Sequence, residues 1–253
     1  MRIAAVYDIH GNLPALEAVL QEIYKAGVDC LIVGGDVIAG PLPAETLTLL
    51  QNISIPTRFI RGNAESELLR HIAGKEPGGL SERADKQTYW LAKNLTENHK
   101  QFLSGWPSTY KLKIKDHGNV LFCHATPLSD IEVFTRQTPL KKLRAIFGGQ
   151  DASLAVCGHT HMQFDRNIGE LRILNAGSVG MPFGHTGADW LLIDTEIVFR
   201  HTDYDLSKAA ERLRQSNYPH VEDFITNNVL QPPTETKALA MLSQLETLTA
   251  AKE

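Results

Sequence analysis

The sequence has few cysteines, no long apolar run and no excess of positive charge, and each shortage removes a class of protein. Cys30, Cys123 and Cys157 are its 3 cysteines in 253 residues. Their number is odd, CxxC spacing does not occur, and all lie in apolar runs where cysteine behaves as a small buried hydrophobe, so a disulfide framework is not expected. Nothing approaches the roughly 18 consecutive apolar residues of a membrane span. The first residues enter a strand-like run without the basic region, apolar region and cleavage site of a secretory signal, which gives the expectation of a cytoplasmic protein. Lys+Arg 25 against Asp+Glu 29 leave a net charge of −4, so no global field draws in long nucleic acid or an anionic membrane surface. Internal repeats and low-complexity tracts are also missing.

What is present is ordinary globular material, 43% hydrophobic and 21% charged, enough to bury a large core in one domain over residues 1–253. The first third alternates between strand and helix periods. Arg2 to Tyr7, Cys30 to Val33 and Thr57 to Ile60 read as short apolar strands. Between them, Asn12 and Pro14 open a helix with Leu13, Leu16, Leu20 and Ile23 at helical spacing up to Gly27, and Pro43 to Leu50 forms a second. This β-α-β-α-β order implies parallel crossovers, with ligands expected beyond the carboxyl ends of the strands. Residues 74–107 open with Gly and Pro and continue as two helical stretches, Ser81 to Leu95 and Thr96 to Gly105, a helical insertion over the core. Later strands are expected at Tyr110 to Ile114, Val120 to Cys123, Leu154 to Val156, Leu171 to Leu174, Trp190 to Ile193 and Ile197 to Arg200, several of them as hairpins. Residues 205–253 read as a helical extension broken at Pro232-Pro233. There Leu239, Leu242, Leu245 and Leu248 recur every three residues, a stripe that either docks on its own domain or makes a homodimer contact.

Histidine, at 10 residues, is the informative component. Asp8-Ile9-His10-Gly11-Asn12 follows the first strand, Gly34-Gly35-Asp36 the second and Gly62-Asn63 the third. Cys123-His124 ends the 120s strand and Gly158-His159-Thr160-His161 the 150s strand. Singly, each has a plain explanation: an Asp at a helix entrance is often a cap, GGD is often a turn, and one His after a strand is often structural. Jointly, Asp, His and Asn at successive strand ends converge on one sheet edge, and those side chains are what a transition-metal site requires.

In this order the blocks D-x-H-G-N, G-G-D, G-N-x-E, a strand-terminal His and G-H-T-H resemble the signature of calcineurin-like metallophosphoesterases, especially their small bacterial and archaeal members. Asn175 to Phe183 (NAGSVGMPF) resembles a further loop of those members, so the likeness covers about residues 1–200. It implies an α/β fold, a four-layer αββα sandwich with mixed sheets and two divalent metals at the sheet edge. By position, Asp8, His10, Asp36 and His161 would bind the first metal, and Asp36, Asn63, His124 and His159 the second, with Asp36 bridging. Asp36, Asn63 and His124 would be the catalytic centre. Mixed imidazole, carboxylate and amide donors suit Mn²⁺, Fe or Zn²⁺ better than Mg²⁺. The implied reaction is attack of a metal-bridging hydroxide on a small phosphodiester or nucleotide polyphosphate. A phosphoprotein phosphatase using the same site and a non-catalytic interaction scaffold of this fold are the alternatives. Larger family members carry a His where this chain has Ala64, which leaves the general acid open. Glu65 and His185 are candidates for it, and Arg61 is a candidate for binding a phosphate oxygen.

Overall fold

The computed structural model describes residues 1–78 and 81–250, without side-chain detail at 248–250. The chain opens as β1 (Ile3–Val6), α1 (Leu13–Ala26), β2 (Cys30–Val33), α2 (Pro43–Gln51) and β3 (Thr57–Phe59). Parallel pairing of β1 with β2 and of β2 with β3 requires a crossover after each strand, which α1 and α2 supply. The side chain of Asn12 caps α1 by accepting from the Ala15 N–H at 3.3 Å, and Gly27 closes it with a φ of +61°. Next come α3 (Asn63–Ile72), α4 (Glu82–Asn94) and α5 (Glu97–Ser104), the last two capped by Ser81 and Thr96.

The second half is richer in hairpins, as its closely spaced strands imply. β4 (Thr109–Ile114) pairs with β5 (Gly118–Cys123); α6 (Leu140–Phe147) and β6 (Leu154–Cys157) follow, then the hairpins β7 (Phe164–Ile168) with β8 (Leu171–Asn175) and β9 (Ala188–Ile193) with β10 (Ile197–Thr202). Among the described residues the strands form two five-stranded mixed sheets, ordered β10-β9-β1-β2-β3 and β4-β5-β6-β8-β7. Strand alternation divides the core. Ile3, Ala5 and Tyr7 face the second sheet, where Phe122, Val156 and Leu174 meet them, while Ala4 and Val6 face Leu16, Val19 and Ile23 of α1. On the far side, Cys123, Ala155 and Cys157 pack against Leu143, Ile146 and Phe147 of α6. The result is the expected αββα sandwich. Three elements were not anticipated: α3, α6 and β7. The last is an edge strand whose sequence, FDRNI, has polar residues through its middle and so lacks a buried-strand signature.

The tail comprises α7 (Leu206–Arg214), α8 (Val221–Phe224) running into a π-helical turn at Ile225–Leu230, and α9 (Glu235–Ala250). Ala238, Leu239 and Leu242 are buried against Val133 and Met162, so α9 docks on its own chain. Leu245 is 42% exposed, and the side chain of Leu248 lies outside the described residues. The buried face thus follows the i, i+1, i+4 rule of a helix, not the three-residue recurrence. Truncation before Thr234 is expected to destabilise the protein by about 1.5–3 kcal/mol per uncovered leucine and to raise binding of an apolar dye, with oligomeric state unchanged. Denaturant titration and sedimentation check this; a changed oligomeric state at unchanged stability would move the stripe to a dimer interface. No helix among the described residues is long and apolar enough to cross a membrane.

Candidate metal centre

The parallel strands β1, β2, β5 and β6 end at one rim, where their loops interlock through backbone hydrogen bonds. Asp8 N–H donates to Gly35 O at 3.1 Å, His10 N–H to Asp36 O at 2.9 Å and Gly158 N–H to His124 O at 2.8 Å. Among the described residues, every non-glycine residue with positive φ is at this rim: Asp8 (+53°), His10 (+50°), Asp36 (+50°), His159 (+66°) and His161 (+56°). A left-handed conformation costs a residue with a Cβ about 1–2 kcal/mol, and such strain concentrates where side chains must be aimed. Two glycines make the approach possible. A Cβ on Gly62 would stand 2.3 Å from Asp36 Oδ1, and one on Gly158 would stand 2.4 Å from Asp8 Oδ2.

The side chains converge on their lone pairs. His10 Nδ1 faces Ala39 O at 3.1 Å, His161 Nδ1 faces Met181 O at 2.9 Å and His124 Nδ1 faces Gly34 O at 2.9 Å. A carbonyl accepts only, so each Nδ1 carries the proton, and in its neutral form each ring presents a bare Nε2. Those Nε2 atoms lie 3.8 Å (His10), 3.9 Å (His124) and 3.3 Å (His161) from Asp8 Oδ1, a buried oxygen with no hydrogen-bond partner. The Nε2 atoms of His10 and His161 are themselves 3.1 Å apart. Asp36 faces both directions, with Oδ2 3.9 Å from His10 Nε2 and Oδ1 3.6 Å from His124 Nε2. Two clusters result, Asp8–His10–His161 and Asp36–His124–His159. Beside the second, the Asn63 amide can sit either way round. With nitrogen inward it donates to His124 Nε2 at 3.2 Å and His159 Nδ1 at 3.1 Å; with oxygen inward it adds another lone pair, which a cation would stabilise. All seven expected ligand residues are therefore brought together, and an orphaned carboxylate oxygen facing bare imidazole nitrogens fits a divalent transition metal.

Electrostatics agree with that donor set. Burial drives His10 and His159 down to about 3, so both rings are neutral donors at physiological pH. Against burial, which would raise it, His161, His124 and His10 hold Asp8 below the usual carboxylate range. Burial pushes Asp36 up to about 7, with Glu65 and Asp8 adding to the effect. Against burial, Asp36 and Asp8 hold His124 above the usual imidazole value. The two carboxylates are thus held apart in acidity.

The three substrate-facing candidates lie elsewhere. Glu65 is fully buried, and its carboxylate accepts from the backbone N–H groups of Gly62 (2.8 Å), Asp36 (2.9 Å), Val37 (2.9 Å) and Ile38 (3.3 Å). With its oxygens turned to fixed backbone donors it is a clamp between two ligand loops and does not line the cavity. Burial pushes its pKa up, while the donors from Gly62, Val37 and Asp36 oppose the shift. His185 contacts Asp189 and His201, and neither His185 nor Arg61 lines the cavity above the metal-facing residues.

That cavity, about 840 Å³, has His10, Asp36, Asn63 and Ala64 on its floor. Its walls include Met181 and Phe183 of the Asn175–Phe183 loop, together with residues that no motif marked: Arg83 and Gln87 of α4, Tyr218 and Asn227 of the tail, and Lys237 of α9. The two walls are tied by Arg83–Asp223 at 2.5 Å and Gln87–Tyr218 at 2.9 Å. The Asn175–Phe183 loop supports the rim: Ser178 Oγ donates to Asp8 O at 2.7 Å and Phe183 packs its ring 5.0 Å from that of His161.

Residues 1–197 match the profile of the calcineurin-like phosphoesterase superfamily domain. The phosphodiesterase YfcE of Escherichia coli is 24% identical over 210 residues, 78% of this chain and 90% of its own. The crystal structure of a metallophosphoesterase from Sphaerobacter thermophilus superposes with a TM-score of 0.70 at 25% identity, over 89% of this chain and 97% of that one. A hypothetical protein, PH1004, from Pyrococcus horikoshii has the same fold, with a TM-score of 0.78 at 18% identity over 92% of this chain and 99% of that one.

Proposed function

This chain belongs to the calcineurin-like phosphoesterase superfamily, and from that premise we propose that it is a binuclear metal-dependent hydrolase of a small phosphodiester or nucleotide polyphosphate. The observation that carries the reading is the partnerless Asp8 Oδ1, buried among three imidazole nitrogens whose protons are all tied to backbone carbonyls. Asp8, His10 and His161 would hold one cation and Asn63, His124 and His159 the other, with Asp36 between them. Mn²⁺, Fe or Zn²⁺ suits these donors. When bound, the pair supplies Lewis acidity to phosphoryl oxygens and lowers the pKa of the attacking water.

The chain's own residues do the rest. Backbone carbonyls fix the imidazole tautomers, Glu65 locks the Asp36 loop to the Gly62 turn, and the Ala64 N–H holds Asp36 Oδ1 at 2.8 Å. Asp8 and Asp36 are the anionic members of the seven-residue set, so the loaded site keeps a net positive charge and favours an anionic phosphate. The tied walls leave space for a small molecule, within the roughly 300–1,000 Å³ of typical ligand cavities, which favours such a substrate over a phosphoprotein or long nucleic acid. A curated relative being a phosphodiesterase supports the diester class.

Ala64 lines the floor and cannot donate a proton. Help from a general acid is worth about 10²–10⁴-fold, most of all when the leaving alkoxide is basic. The enzyme is therefore expected to hydrolyse aryl phosphodiesters or nucleotide polyphosphates far faster than alkyl phosphomonoesters, with a steep dependence on leaving-group pKa. A series of aryl esters measures the slope; a flat one with rate-limiting chemistry would reveal a proton donor. Inactivity toward all of these esters in metal-loaded protein would overturn the proposed function.

A further inference from the structure

Away from the rim, β9, β10 and the loop before β9 bring together a second kind of cluster. His185 Nε2 lies 3.0 Å and His201 Nδ1 2.9 Å from the same atom, Asp189 Oδ1. Asp189 is 1% exposed, and its other oxygen, Oδ2, has no hydrogen-bond partner. One oxygen contacted by two imidazoles beside an empty one is a poor arrangement for a buried carboxylate. The three donor atoms lie within 4.8 Å of one another. Both imidazoles reach solvent, with side chains 47% and 37% exposed, which gives an ion a way in and leaves a coordination position for water. The far nitrogen of His201 is 3.4 Å from Asp203, the carboxylate that a ligating imidazole uses to fix its tautomer.

From this geometry we propose a further metal site, separate from the rim, in which His185 Nε2, His201 Nδ1 and the Asp189 carboxylate bind one Zn²⁺. Two imidazoles and one carboxylate with an open fourth position suit zinc, and its charge would offset that of the buried Asp189 carboxylate. Position gives the site a purpose. Asp189 N–H donates to Ser178 O at 2.9 Å, and His185 follows Phe183, whose N–H donates to His161 O at 3.1 Å. An ion here would pin the end of the loop that orients His161 to the β9–β10 hairpin.

The test is equilibrium dialysis of chelator-stripped protein against Zn²⁺, with wild type compared with His185→Ala and His201→Ala, followed by thermal unfolding with and without the metal. Wild type is expected to retain one zinc equivalent more than either variant and to show the larger zinc-dependent rise in Tm. Near-UV circular dichroism verifies folding, and His185→Gln stands in should an alanine variant misfold. The His185-dependent equivalent should persist in Asp8→Ala protein, which separates this site from the rim. Equal zinc retention by wild type and either folded variant would overturn the proposal and leave a hydrogen-bonded trio only.

Discussion

Asp36→Asn is expected to lose both rim metals' shared contact and, with it, turnover. The amide keeps a carbonyl oxygen for the Ala64 N–H, bonded at 2.8 Å in the native protein, so the loop geometry survives. What it loses is the anion. Between two divalent ions a neutral amide leaves a charge excess that a carboxylate offsets, and occupancy should fall from two metals to one or fewer. Removing one electrostatic stabiliser of a reacting centre typically costs about 10²–10³-fold in rate, and here a whole ion is at stake, so that range is a lower limit. Stability should respond the other way. Burial already pushes the Asp36 carboxyl up to about 7, so in metal-free protein the anion is unfavourable and a neutral amide is tolerated at least as well. Metal analysis, turnover on an aryl phosphodiester and metal-free Tm together check this; two retained metals with near-native turnover would remove Asp36 from the centre.

Glu65→Ala should instead fail through the fold. The substitution strands four buried backbone N–H groups of Gly62, Asp36, Val37 and Ile38 that no other acceptor serves. An unsatisfied buried donor costs about 1–3 kcal/mol, and partial relaxation brings the expected loss to about 3–5 kcal/mol. Denaturant unfolding of metal-free protein measures it directly. Glu65→Gln, which keeps one carbonyl oxygen but turns an amide donor toward other donors, should fall between. If Glu65→Ala were as stable as wild type and slowed only the chemical step, the carboxyl would be a general acid after all.

The rim was legible because chemistry-bearing residues stand immediately after short apolar runs. Parallel strands deliver such residues to one edge of each sheet: Asp8 and Asp36 follow β1 and β2 of the first, His124 and His159 follow β5 and β6 of the second, and stacking of the two sheets brings the pairs together. Adjacency to Ala64 makes Glu65 a candidate proton donor, whereas its carboxylate is turned to backbone donors. A usable signal was present: α3 begins at Asn63, so a Glu three residues after Gly62 is placed to reach back to the Gly62 N–H, the geometry of a capping box. The partners of His185, Asp189 and His201, are not legible in the sequence because they belong to a hairpin whose register sequence alone does not reveal. The cavity walls were invisible for another reason. Arg83, Tyr218 and Lys237 come from helices far apart in the chain, and nothing in their own spacing says that they face Asn63 across a cleft.

The central claim is that Asp36 stands between two metal ions. Anomalous scattering from crystals grown with Mn²⁺, recorded above and below the manganese edge, tests it most directly. Two peaks are expected at the rim, roughly 3.5–4 Å apart. One should lie against Asp8, His10 and His161, the other against Asn63, His124 and His159, with Asp36 in contact with both. A single peak, or two peaks of which Asp36 touches only one, would contradict the account.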